Sequence, residues 1–268
     1  MSSKFKVNLF CNDSLLPSTS DKNVAKNVEW VRDGSGELNL YVNNWIPKVT
    51  EDVGKLPKNI WLLESKEVIL RTWEWVYVNY PFLGYWTDGN IFTCNKELCA
   101  KNDVFKYALS NAAPWVVDRK IYDKTKLVSM ISSNKGYLHG HRVRLSLVNK
   151  FRDDVDLYGR GFKEIDCKEQ GLSDYMFSVA VENGVYDTYF TEKLTDCFAC
   201  GTIPIYYGCR GVTEYFNEDG IIFLDENFDL SMLTPDYYYS KMDAIKENFE
   251  RAMDLPVAED YLYENYWK

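Results

Sequence analysis

No stretch of the chain approaches about 18 apolar residues without a charge, so nothing in it reads as a membrane-spanning helix. The opening residues, MSSKFKVNLFCND, are too short and too interrupted in their apolar part to serve as a secretory leader. Positive charge is also scarce, with 31 Lys and Arg against 40 Asp and Glu for a formal −9. Sequence-independent nucleic-acid binding relies on clustered Lys and Arg, so that class is excluded. A small anion is still allowed, because one or two placed cations and a helix N-terminus can hold it. Histidine is nearly missing, and the two present, His139 and His141, fall on different sides of a helix, which argues against a shared metal. The 7 cysteines are odd in number, and Cys197-Phe-Ala-Cys200 has no second CxxC or His pair to complete a tetrahedron. They read as packed, reduced thiols. No internal repeat or low-complexity tract is evident.

What the chain does have is length and apolar mass. Its 268 residues are 46% hydrophobic and 16% aromatic, enough to bury a sizeable core in one large domain or two ordinary ones. Short apolar runs ended by polar turns predict strands at Lys6–Cys11, Leu38–Val42, Asn59–Leu63 and Ile91–Cys94. The aromatic stretch 66–85 predicts a helix ending before Pro81, and Lys96–Lys101 a helical turn. Asn111-Ala-Ala-Pro114 breaks the pattern, which places a domain boundary near 112–124 and divides the chain into residues 1–118 and 119–268. Beyond it the alternation is regular: strands at Leu127–Ser132, Val155–Tyr158, Tyr175–Val181 and Ile203–Tyr207, with helices at Arg142–Phe151 and Thr191–Cys200, the latter stopped by Gly201. Such alternation implies an α/β fold with a parallel sheet covered on both faces, whose ligands lie beyond the C-terminal ends of the strands.

Four strand exits therefore matter: Ser132–Gly140, Tyr158–Gly161, Glu182–Lys193 and Gly208–Val212. In the third, Glu182-Asn-Gly-Val-Tyr-Asp-Thr-Tyr-Phe-Thr-Glu-Lys193 leaves an apolar strand and enters a helix at Thr191-Glu192-Lys193. Free N–H groups at the helix start favour an anion, and a first-turn Lys193 opposes the helix dipole unless an anion is bound there. A capped helix with a solvated lysine accounts for the same spacing. Asp154-Val-Asp156 has the Asp-x-Asp form used to hold a divalent cation under a diphosphate, but Asp156 begins a strand, far from the strand's exit. The aromatics of 73–86 suit core packing more readily than sugar stacking.

The stretch YMFSVAVENGVYDTYFTEKLTDCFACGTIPIYYG resembles the C-terminal signature of the α-1,3-fucosyltransferases, glycosyltransferase family 10, with Val181 and Gly184 in place of the usual Phe and Ser. The resemblance extends upstream through Ser132-Ser-Asn134, His141-Arg-Val-Arg144 and Val155-Asp-Leu-Tyr-Gly159, covering roughly residues 127 to 225. It implies a GT-B-like fold, two Rossmann-like domains with a cleft between them: an acceptor-side N-terminal domain and a C-terminal domain that binds the nucleotide-sugar donor. It further implies inverting, metal-independent transfer of a sugar, fucose from GDP-fucose, onto a hydroxyl of a glycan acceptor, with no cofactor. Carried over by motif, Arg142 and Lys193 would neutralise the diphosphate, with Arg144 the alternative arginine, and Glu192 would accept from the ribose hydroxyls. Asn183 and Tyr189 would line the donor pocket, with Glu182 and Thr191 in the same segment. The acceptor's proton needs a carboxylate. Glu64, ending the strand Asn59–Leu63, matches the family's glutamate in that role, with Glu67, Glu74 and Asp88 as fallbacks and helix capping as Glu64's other use. The remaining readings are a related transferase with a UDP-pentose or UDP-hexose donor and a non-catalytic glycan-binding module. A short, thiol-rich form without an anchor suggests a bacterial or viral enzyme acting in a cytoplasm.

Overall fold

The computed structural model describes residues 3–11, 24–87, 89–186, 188–225 and 228–268. Its first sheet holds β1 (Phe5–Phe10), β2 (Val28–Val31), β3 (Leu38–Val42), β4 (Lys58–Leu62), β5 (Ile91–Thr93) and β6 (Phe105–Tyr107), in the order β2-β1-β3-β4-β5-β6. The second holds β7 (Lys126–Ile131), β8 (Asp156–Tyr158), β9 (Tyr175–Val181), β10 (Ile203–Tyr207) and β11 (Ile222–Phe223), in the order β11-β10-β9-β7-β8. Every pairing in both is parallel. The α-helices are α1 (Leu70–Asn79), α2 (Lys96–Lys101), α3 (His139–Phe151), α4 (Glu192–Ala199), α5 (Pro235–Ser240), α6 (Met242–Met253) and α7 (Ala258–Leu262). Parallel strands require crossovers, which bury central strands on both faces. Accordingly every residue of β3, β4 and β9 is buried. In each sheet the strand order reverses once, between β1 and β3 and between β7 and β9, and ligands of such sheets bind beside that reversal.

The chain divides into two compact units: residues up to Asn111 with Thr188, Tyr189 and Pro256–Lys268, and Ala112–Tyr186 with Phe190–Leu255. Against the expected division at 118/119, residues 112–118 go with the second unit, because Asp196 on α4 accepts the N–H groups of Trp115 (2.5 Å) and Val116 (3.0 Å) and Thr195 donates to the Ala112 carbonyl (2.7 Å). Residues 256–268 return to the first unit, where Leu262, Tyr263, Tyr266 and Trp267 pack with Phe5, Trp30 and Phe92 in its core. The second core is built from β7, β9 and β10 with Leu147, Val148 and Phe151 of α3.

Some elements differ from the sequence reading. The 66–85 helix is reduced to α1, because Pro81 lacks an N–H and the chain tightens into a 3₁₀ segment, Tyr80–Tyr85. The strands β2, β6 and β11 and the helices from α5 onward are additions to the sequence reading, although α6 buries Ala244, Ile245, Asn248 and Ala252 along one face. The paired thiols are reduced and buried: burial pushes Cys197 up to about 12, and Cys200 is also raised by burial. Among the described residues no helix is long and apolar enough to cross a membrane.

Candidate functional site

At the exit of β9 the buried Glu182 turns its carboxylate onto Thr191, accepting the backbone N–H at 2.8 Å and the hydroxyl at 2.9 Å. Thr191 in turn caps α4, accepting the Lys193 N–H at 3.4 Å and the Lys193 ammonium at 2.9 Å. That ammonium lies 3.5 Å from Glu182 and 3.6 Å from Glu192. From the turn before β9, Lys168 reaches the same helix, 3.3 Å from Glu192 and 2.6 Å from Asp196. Burial alone would raise the Glu192 carboxyl, but Lys168 and Lys193 flank it and hold it at about 2. Glu182 and Asp196 are both pushed up by burial, their lysine partners only partly opposing it.

These side chains border a pocket of about 280 Å³ at the reversal between β7 and β9. Its floor is Ile131 and Val179–Val181 of the sheet. Its rim is Ser132 and Ser133 after β7 and Gly159 and Arg160 after β8. Gly159 has φ +106, and a Cβ there would stand 2.0 Å from the Ser132 carbonyl oxygen, so only glycine lets the two strand exits approach. Gly140 does the same for α3: its missing Cβ leaves room for the Glu182 carbonyl, 2.5 Å from where a Cβ would sit. That contact presses the first turn of α3 against the β9 exit and delivers Arg144 into the pocket. The Arg144 Nε is buried with no hydrogen-bond partner, and burial draws the guanidinium below its usual range. Arg144, Arg160, Lys168 and Lys193 face Glu192 and Asp196, leaving the lining with two positive charges in excess on a chain whose formal net charge is −9.

Of the expected site residues, Arg144, Glu192 and Lys193 share this pocket, and Glu182 and Thr191 stand directly behind it as its support. Arg142 does not line it: two positions before Arg144, it points to another face of α3, is exposed, and donates to the Tyr137 carbonyl at 3.3 Å. Asn183 is half-buried outside the lining, its backbone against Gly140. Tyr189 is buried and goes with the first unit, where neighbouring Thr188 donates to the Cys94 carbonyl (3.2 Å) and hydrogen-bonds the Tyr107 hydroxyl (2.6 Å). Glu64 follows β4 in the first unit, its N–H donating to Asn43 (3.0 Å) and its carbonyl accepting from the Trp73 indole (3.2 Å). Nearby Glu67 has a buried Oε2 without a hydrogen-bond partner, Glu74 is exposed on α1, and Asp88 lies outside the described residues. Asp156 begins β8 and accepts from the Tyr175 hydroxyl at 2.5 Å; among the described residues no cluster of three His, Cys, Asp or Glu could hold a metal ion.

Three residues of the site escaped the sequence reading: Lys168, Arg160 and Asp196. A signal existed for two of them. Glu192 and Asp196 stand at i and i+4 on a buried helix, so their carboxylates share a face and demand a cation. Arg160, held between two glycines with positive φ, marks a strand exit shaped for close approach.

Residues 121–236 match the model of the glycosyltransferase family 10 (fucosyltransferase) C-terminal domain. Among curated relatives, the chain is 30% identical over 101 residues to an alpha-(1,3)-fucosyltransferase FucT of Helicobacter pylori, covering 37% of this chain and 21% of the relative. It is 28% identical over 154 residues to alpha-(1,3)-fucosyltransferase C of Drosophila melanogaster, covering 54% and 31%. The matched parts thus span a third or less of those relatives. A crystal structure of an alpha1,3-fucosyltransferase superposes with a TM-score of 0.54 at 14% identity, over 96% of this chain and 83% of the other. Another, with GDP-fucose, gives 0.51 at 13% over 95% and 84%. The fold is therefore GT-B-like α/β, with a Rossmann-like parallel sheet in each unit.

Proposed function

We propose that the chain transfers a sugar, fucose from GDP-fucose, onto a glycan hydroxyl, a reading supported by the match of residues 121–236 to the glycosyltransferase family 10 (fucosyltransferase) C-terminal domain. One observation carries this reading: the pocket at the strand-order reversal gathers Arg144 and Lys193 beside Glu192, with two positive charges in excess. A sugar-nucleotide diphosphate carries about that much negative charge, and more of it localises on the leaving oxygen as the glycosidic bond breaks. Cations fixed before the reaction stabilise that developing charge more than the ground state. Glu192, ionised down to about pH 2 by its two lysines, is a pure acceptor suited to ribose hydroxyls. The seats of the diphosphate are Arg144 and Lys193, not Arg142. Transfer is inverting and metal-independent in this proposal, with side-chain cations supplying the neutralisation and Glu64 receiving the acceptor proton.

The test is a calorimetric comparison of GDP, UDP, CDP and ADP, followed by transfer assays with the matching sugar nucleotides in EDTA. Binding and turnover with GDP-fucose alone are expected. Binding of UDP in preference to GDP overturns the donor, and activity lost in EDTA and restored by Mn²⁺ overturns the metal-independent mechanism.

A further inference from the structure

Lys168 belongs to none of the residues through which the domain is expected to hold its donor, yet its ammonium is engaged on three sides in the pocket. It stands 2.6 Å from Asp196 and 3.3 Å from Glu192 and lies 4.8 Å from the centre of the Trp115 ring. Asp196 is fixed from behind by the Trp115 and Val116 N–H groups, at 2.5 and 3.0 Å. The carboxylate Asp196 is therefore immobile, the ammonium is anchored to it, and the ammonium's remaining direction is towards Glu192. Glu192 also neighbours Thr191, Lys193, which itself bonds Thr191, and Arg144 from α3. Without Lys168 the Glu192 carboxylate would lose the contact that fixes its rotation and be free to turn away from a bound ribose. From this geometry we infer that Lys168 is a positioning residue: through the Asp196–Lys168–Glu192 relay it aims the Glu192 carboxylate at the nucleotide's ribose.

The inference rests on the proposed donor reading, and the experiment separates the two. Binding of GDP, 2′,3′-dideoxy-GDP and pyrophosphate is measured by calorimetry for the wild-type chain and for Lys168→Met. Wild type failing to bind GDP, or binding GDP and its dideoxy analogue equally, overturns the donor reading itself. With that reading intact, Lys168→Met is expected to weaken GDP about tenfold or more, the size of a lost hydrogen bond to a charged group. Pyrophosphate and dideoxy-GDP should stay within about threefold of wild type on the same bookkeeping, since they make no ribose contact for the relay to position. Equal weakening of all three ligands, or no weakening of GDP, overturns the relay. Should Lys168→Met not fold, Lys168→Gln, whose amide still donates to Asp196 while withdrawing the charge from Glu192, is read by the same ratios.

Discussion

At the reversal of strand order in the first sheet, Asn43 sits at φ 53 with its amide oxygen accepting from the N–H groups of Leu63 and Glu64. Beside it Phe10 stacks on Tyr41 at 4.6 Å, and Arg32 donates to the carbonyl and thiol of Cys11. Further down the strands Asn8, Asn39, Tyr41 and Asp52 form a closed network, each bond 2.8 Å. The matching place in the second sheet is lined by four cations and two carboxylates, and the buried Arg144 Nε has no partner there. Both sheets share one winding, so topology supplies a crevice to each. What separates them is that the polar groups of the first satisfy one another, whereas the second keeps an excess of cations and a buried Arg144 Nε without a partner.

That contrast should appear as a division of labour. Removing the proposed base with Glu64→Gln, in the first unit, is expected to lower turnover by about a thousandfold. GDP affinity should stay within about twofold in that variant, because the side chain lies outside the charged pocket; a matching loss of GDP binding would refute the division. In the second unit, Lys193→Ala and Arg144→Ala should each weaken GDP about a hundredfold, while Arg142→Ala changes it by no more than about threefold. Arg142→Ala proving the more damaging would return the diphosphate to the other face of α3.

The limits of the sequence reading follow the same divide. β9 and α4 were legible because an unbroken apolar run, YMFSVAV, and a Thr-Glu-Lys helix start obey local rules, and their residue types also carry the chemistry. Choosing Arg144 over Arg142 was beyond it, since two positions apart on a helix differ by about 200° and only the Gly140 contact with Glu182 fixes the rotation. Lys168 was hidden for another reason: its partners lie 24 and 28 residues away, and a 3₁₀ turn has no hydrophobic period to draw attention to it. That Tyr189 goes with the first unit was equally out of reach, because Thr188 anchors the segment to Cys94 and Tyr107, far off in sequence.

Glycines sharpen the contrast in a stability measurement. Gly34 in the first unit has φ +81 but open space around it, whereas Gly159 in the second has φ +106 and the Ser132 carbonyl oxygen 2.0 Å from a would-be Cβ. Gly34→Ala should therefore cost only the backbone term, about 1 kcal/mol. Gly159→Ala adds a collision with backbone and should cost about 2 kcal/mol or more in denaturant unfolding, with GDP binding weakened because the strand exits part. Equal losses at the two positions would mean that the close approach of β7 and β8 is not what Gly159 secures.

The smallest effect concerns acid. Both histidines lie in the second unit, and His141 is 5% exposed, its ring edge-on to Tyr137 at 4.7 Å and its Nδ1 without a partner. Burial, then Arg144, Lys135 and Lys193, bring its pKa down to about 4 from 6.5. A histidine depressed in this way takes up its proton in the unfolded chain before the folded one, so as pH falls from about 6.5 towards 4 the folded state loses stability. Hydrogen exchange resolved by peptide should show faster opening of residues 126–181 across that interval with residues 28–107 unchanged, and His141→Gln should remove the difference. Burial sets the direction, and Arg144, Lys135 and Lys193 add to it by repelling one more positive charge; a GDP bound at the proposed donor site, by answering those cations, should raise the His141 pKa and shrink the acid effect.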